Sequence, residues 1–301
     1  MRSISTLAAV ACMAAPTLAA SSYTTDFENF SLGSDTTGSN PLITDPAAGS
    51  NNWRGNGSSG LADNGVPGSQ YDGEIADTGT SSGKAYRLSN AKVSGNYDTT
   101  HASTPTVDAV GETGTIGTPG TFSFSFDFRS VLDTVQEGLS IDVTPFQAGT
   151  ASRQGILRFT DDGTDGLSVG WWEVDNGSFN FIQLATGLAR DAWHSVEVDM
   201  TFIDGLANDL VSIDLNGSVT STTTWETYSG YNSPVAIDSV IFRVVNPVDF
   251  SSNTGGVAAL DDGGLYFDNL SVSAAPAVVP TPAAFGAGMI GLLAVATRRG
   301  R

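Results

Sequence analysis

Glu173 and Asp175, in the stretch WWEVDNG, are the pair of residues in this chain whose spacing most directly suggests chemistry. Alternate positions on a β-strand share a face, so two such carboxylates could serve as acid and nucleophile across a glycosidic bond. The next position on that face is Gly177, behind an Asn176-Gly177 turn, and no third carboxylate follows. A strand end with two solvated acids is the simpler account, and no catalytic residue is expected beyond this minority pair. His101 and His194 are the only histidines. They are too few for a catalytic zinc site, and neither sits near a nucleophile elbow. No Gly-rich loop opens a helix to cradle phosphate.

Oxygen-rich loops offer a different chemistry. Asp161, Asp162 and Asp165 in TDDGTDG, and Asp261 and Asp262 in ALDDGG with Asp268 and Asn269 close by, are the sets that could hold a structural calcium ion. Neither has EF-hand spacing, and Asp-Gly pairs also make turns for their own sake. Aromatic side chains could stack on sugar rings. Adjacent Trp171 and Trp172 must point to opposite faces of a strand, one entering the core and one left for the surface. Trp225, Tyr228 and Tyr231, in TTWETYSGYN, form an aromatic segment that could face a ligand or anchor a loop.

These residues need a scaffold, and the composition describes it. The 301 residues are 40% hydrophobic, enough for a core, and include 35 glycines. With abundant Ser, Thr, Asn and Asp, that points to many turns and few helices. Charged residues are only 15%, yet 32 acidic against 13 basic give a net charge of −19, which disfavours nucleic acid as a partner. TFSFSFDFR, Thr121 to Arg129, alternates strictly, with Phe122, Phe124, Phe126 and Phe128 on one face. Similar runs follow at GLSIDVTPF, GILRFT, GLSVGWWEV, FNFIQL, WHSVEVDMTF, LVSIDLNG, DSVIFRVV and GLYFDNLSVS, joined by Asn-Gly and Asp-Gly turns. The expected fold is an all-β antiparallel jelly-roll sandwich over 21–275, with a loop-rich stretch at 31–120.

Both ends read as processing segments. Residues 1–20 have Arg2, an apolar stretch from Ile4 to Ala15, Pro16, and small residues with Thr17 and Ala19 at −3 and −1, the layout of a cleaved signal peptide. The only cysteine, Cys12, leaves with it, so the mature chain has no disulfide and no thiolate. At the other end, 276–301 contains an uncharged run at 283–297, short of the roughly 20 residues of a spanning helix. Pro280 and Pro282 precede the run, and Arg298, Arg299 and Arg301 follow it. The arginines favour retention on the cytoplasmic side, leaving the body outside.

The order Val279-Pro280-Thr281-Pro282-Ala283, short apolar helix, Arg298-Arg299 resembles the PEP-CTERM sorting signal of exported bacterial proteins, with Thr281 in place of the usual Glu. That resemblance implies an exosortase-type processing enzyme as partner, transient membrane contact through the tail, and a cell-surface or matrix location. In the body, DAWHSVEVDMTF followed by LVSIDLNG resembles the paired strands of concanavalin A-like and laminin-G-like domains. YTTDFENFSLG and GGLYFDNLSVS resemble their first and last strands. This resemblance implies a jelly roll with His194 in a structural role, and calcium near the terminal strands at Asp261, Asp262 and Asp268. The resulting expectation is an exported adhesive or structural domain, not an enzyme, with extracellular polysaccharide bound through Trp172, Trp225, Tyr228 and Tyr231. The alternative is a glycoside hydrolase or lyase acting on polysaccharide.

Overall fold

The structure, a computed structural model, describes residues 20–32, 53–55, 71–81, 83–92, 102–112, 115, 117–148, 152–161, 163, 165–228, 235–245, 248–249 and 263–277. Ala20–Pro276 is one compact unit. Along it run β1 (Ser21–Thr25), β2 (Arg54–Gly55), β3 (Tyr71–Asp77), β4 (Lys84–Lys92), β5 (Ala102–Ser103) and β6 (Gly120–Ser130). Then come β7 (Leu139–Phe146), β8 (Ile156–Asp161), β9 (Leu167–Asp175), β10 (Ser178–Leu188) and β11 (His194–Phe202). The last are β12 (Leu210–Leu215), β13 (Ser218–Thr222), β14 (Ser239–Val244), β15 (Val248–Asp249) and β16 (Leu265–Pro276). The signal helix and the C-terminal helix expected at the two ends lie outside the described residues. Among the described residues no helix is long and apolar enough to cross a membrane.

The strands form two sheets. One has nine strands in the order β13-β12-β11-β6-β16-β4-β15, with β1 on β16 and β3 on β4; the other has seven, in the order β10-β9-β8-β7-β14-β5-β2. Every pairing is antiparallel except the short β15–β4 contact. The expected sandwich is the observed one. The loop-rich stretch contributes strands to both sheets, with β3 and β4 in one and β2 and β5 in the other.

Between the sheets lies an aromatic core, and β6 explains its position. Phe122, Phe124, Phe126 and Phe128 all face inward and are buried, while the intervening Ser123, Ser125 and Asp127 face out. Successive rings stand 6.3–6.5 Å apart, centroid to centroid. The opposite sheet meets them with Phe159, whose ring is edge-on to Phe128 at 4.7 Å, and Phe242, 5.8 Å from Phe126. Trp171 is wholly buried in this core, whereas Trp172 is half-buried on the opposite face, the split that adjacency on a strand requires.

Two hairpins fix strand register. Asn176-Gly177 joins β9 to β10 and Asn216-Gly217 joins β12 to β13, with φ of 49° and 78° in the first and 55° and 84° in the second. Two consecutive positive φ angles belong to the tight turn whose twist matches the flanking strands. His194 opens β11 as a structural residue. With Nε2 assigned as the donor to the Ala189 carbonyl (2.8 Å), Nδ1 accepts from Asn216 Nδ2 (3.0 Å), which ties the second turn to the strand beside it.

Candidate functional site

The outward face of the seven-stranded sheet carries a line of side chains that strand register places side by side. Gln183 on β10 is opposite Gly170 on β9, Gly170 opposite Arg158 on β8, Arg158 opposite Asp142 on β7, and Asp142 opposite Arg243 on β14. With strands about 4.8 Å apart, the line is roughly 19 Å long. Between the two arginines Asp142 is fully buried. Its Oδ1 and Oδ2 accept from Arg158 Nε and Nη2 at 2.8 and 3.0 Å, the forked geometry that suits a guanidinium to a carboxylate. Arg243 donates from Nε and Nη2 to Asp142 Oδ2 at 3.2 and 2.9 Å. Guanidinium groups stay charged. Two cations therefore share one anion, and one positive charge is left over on the face of a chain whose net charge is −19.

An aromatic cluster flanks Arg158. The Arg158 guanidinium lies 5.6 Å from the centroid of Trp172, close enough for cation–π attraction. Trp172 in turn packs 5.0 Å from Phe181. Gly170 makes this arrangement possible, because a Cβ there would fall 2.1 Å from Phe181 Cζ. The Phe181 ring thus occupies the gap in the line where a side chain would stand, and remains 43% exposed. Phe179, 46% exposed, extends the aromatic surface to Tyr228 at 5.2 Å and Trp225 at 4.9 Å. One outward position from Asp142 along β7, Thr144 is 2% exposed, and its hydroxyl has no hydrogen-bond partner among the described residues. The indole Nε1 of Trp172 is likewise buried and unpartnered among them.

The residues expected from sequence are distributed differently. Glu173 and Asp175 stand on the Trp171 side of β9, turned away from the arginines. Glu173 accepts a hydrogen bond from Thr222 on the edge of the other sheet, and Asp175 is exposed at the hairpin, accepting from Asn176 Nδ2 at 2.8 Å. They form no catalytic pair across a cleft. Trp225 is corrected from ligand platform to anchor. It is 5% exposed, donates from Nε1 to the Trp172 carbonyl at 2.8 Å, and packs on Ile156 and Val174. Tyr228 is half-buried beside it, and Tyr231 lies outside the described residues.

Asp161 is no cation ligand either. It is buried and held by Arg190, with Nη2 to Oδ1 at 2.7 Å, and by the backbone N–H of Gln136 at 3.0 Å. That Asp161 carboxylate raises the Arg190 pKa above its ordinary value. Of the second expected calcium set, Asp261 and Asp262 lie outside the described residues. Asp268 is 3% exposed and accepts from Asn269 N at 2.7 Å. Burial, helped by repulsion from Asp127, Asp26 and Glu28, raises its pKa to about 6. The sorting residues Val279, Pro280, Thr281, Pro282, Ala283, Arg298 and Arg299 also lie outside the described residues.

Glu112, Asp209 and Glu226 do converge, with one carboxylate oxygen of each within 4.8 Å of the others, the kind of spacing a divalent cation needs. A proton answers the same repulsion. Burial and a hydrogen bond to Glu226 raise the Glu112 pKa to about 7, and burial raises Asp209 to about 6. Like charges held this close favour one shared proton.

No protein-family model matches the chain, and no curated protein does. Solved structures similar to it include the alginate lyase Aly36B, at 15% identity over 83% of this chain and 96% of that one, TM-score 0.47. Others are an endo-β-1,4-glucuronan lyase from the fungus Trichoderma reesei (11%, 76% and 89%, TM-score 0.37) and a Bacillus licheniformis β-glucanase (13%, 84% and 97%, TM-score 0.41). The expectation of an adhesive or structural, non-enzymatic body is corrected on this finding. Those three structures are of two lyases and a glucanase, the kinds of enzyme that the hydrolase-or-lyase alternative names.

Two outcomes follow from the charges. Asp142→Ala leaves two guanidiniums side by side without their anion and should lower unfolding stability by about 3 kcal/mol, the lower end for a broken buried pair because both arginines keep some solvent. Urea unfolding checks this. The raised acids, by contrast, contribute stability that is fully present below their ordinary values near pH 4 and is lost as pH rises through about 6 to 7. Melting temperature in EDTA should therefore fall across that window, and Glu112→Gln should flatten the fall; a melting temperature that rises there contradicts the assignment.

Proposed function

We propose that the body of this chain is an exported polysaccharide-degrading enzyme, of lyase or hydrolase type, that holds its substrate along the outward face of the seven-stranded sheet. The observation that carries the reading is the line Gly170-Arg158-Asp142-Arg243 with Trp172 and Phe181 beside it. Aromatic faces give sugar rings apolar contact, and the guanidiniums supply directed donors to their oxygens. A rigid β-scaffold suits this task, because Asp142 and the strand register hold the binding groups before a ligand arrives. Glu173 and Asp175 have no part in it.

Delivery belongs to the same proposal. The N-terminal segment is removed on export, and the PEP-CTERM-like tail, with Pro280, Thr281 and Pro282, hands the protein to an exosortase-type enzyme at the membrane. The body then remains at the cell surface or in the extracellular matrix, where polysaccharide is encountered. A concanavalin A-like jelly roll with short helices at either end of the precursor is the architecture this history implies.

The purified body, incubated with a panel of neutral and acidic polysaccharides, should release oligosaccharides. Reducing ends accompanied by ultraviolet absorbance of an unsaturated product identify a lyase, and reducing ends without it a hydrolase. Trp172→Ala should lower kcat/KM about tenfold, the order expected for removing one stacking and cation–π partner. No product from any polymer would contradict the reading. For delivery, intact mass of the mature protein recovered from its native host should show loss of both the first 19 or 20 residues and the tail beyond Val279. A mass that retains the tail would reject exosortase processing.

A further inference from the structure

We infer that the sugar units held by this face carry carboxylates, so that the substrate is a polyuronate; the inference rests on the reading of the outward face as the substrate track. Asp142 is the only carboxylate among the described residues that point outward from β7, β8, β9, β10 and β14, and it is wholly occupied by the two arginines. Each arginine spends Nε and Nη2 on it. The Nη1 donors of Arg158 and Arg243 have no protein partner among the described residues, and the two side chains keep 23% and 17% of their surface. A neutral hydroxyl would leave the surplus positive charge unanswered, whereas a carboxylate meets it with charge-assisted hydrogen bonds of about twice the ordinary strength.

The surroundings fit the same ligand. Arg158 lies over Trp172, so a ring stacked on Trp172 and Phe181 brings its substituents to the guanidinium edge. The buried, unpartnered hydroxyl of Thr144, next outward along β7 from the shared aspartate, is a donor directed to the same side. Elsewhere the chain is acidic. The outward face of the nine-stranded sheet presents Asp127, Glu197 and Asp214 around a shallow hollow, which would repel a polyanion. An acidic polymer is thus turned away from one face and met by cations on the other.

The test compares binding of oligomannuronate, oligoglucuronate and oligogalacturonate with binding of their carboxyl-reduced forms by titration calorimetry, beside cello-oligosaccharides. At least one uronate should bind tenfold or more tightly than its reduced form. Arg158→Gln and Arg243→Gln should each bring it down to the reduced form's level, since the other arginine still pairs Asp142 and preserves the fold, as melting temperature verifies. Equal affinity for a uronate and its reduced form overturns the inference without relying on any variant. Binding of neutral oligosaccharides alone, weakened by Trp172→Ala, also overturns it while leaving the track in place. If nothing binds and no polymer is cleaved, the track itself is wrong.

Discussion

The outward face of this sandwich depends on one buried carboxylate. Asp142 has no contact with solvent, and a lone ionised acid in that position would cost several kcal/mol. It is tolerated because Arg158 and Arg243, on the strands to either side, bring four donors to its two oxygens. The same contacts remove conformational freedom from two long side chains. They also place two cations on a face whose one outward carboxylate among the described residues is Asp142 itself. On the proposed reading, packing and recognition are the same interaction.

Register makes the triad possible. Arg158, Asp142 and Arg243 meet only because β8, β7 and β14 pair with those residues directly opposite, and a slip of one residue would send them into the phenylalanine core. That core resists the slip. Phe159 and Phe242 alternate with the arginines and interlock with Phe126, Phe128 and Phe267 across the sandwich. At the end of the line, Trp225 buttresses Trp172 by bonding its backbone carbonyl, while Gly170 gives Phe181 its seat. The exposed aromatic surface is therefore held from beneath by Trp225 and Gly170.

Much of the scaffold was legible in the sequence. TFSFSFDFR alternates so strictly that its buried face could be read directly, and Asn176-Gly177 and Asn216-Gly217 announced their hairpins. The adjacency of Trp171 and Trp172 required one to be buried and the other not. The site was less legible because it is a product of register. Each of ILRFT, SIDV and VIFRV contains a single charge within an apolar run, a signal that these charges share a face and need partners. Nothing local says that the three strands are neighbours, or in which order. Asp161 misled for the same reason: its cation is an arginine 29 residues away, not a metal. Trp225 misled because its cover, Phe179, comes from an edge strand whose outward face could not be assigned.

If Asp142 arms this face for an acidic glycan, as we propose, a uronate will be found bound on it. A crystal structure of the body soaked with a uronate oligosaccharide tests it most directly. The expected electron density is a sugar ring against Trp172 and Phe181, with its carboxylate on the Nη1 groups of Arg158 and Arg243. An oligosaccharide seated on the outward face of the nine-stranded sheet, or one that leaves both arginines untouched, would contradict it.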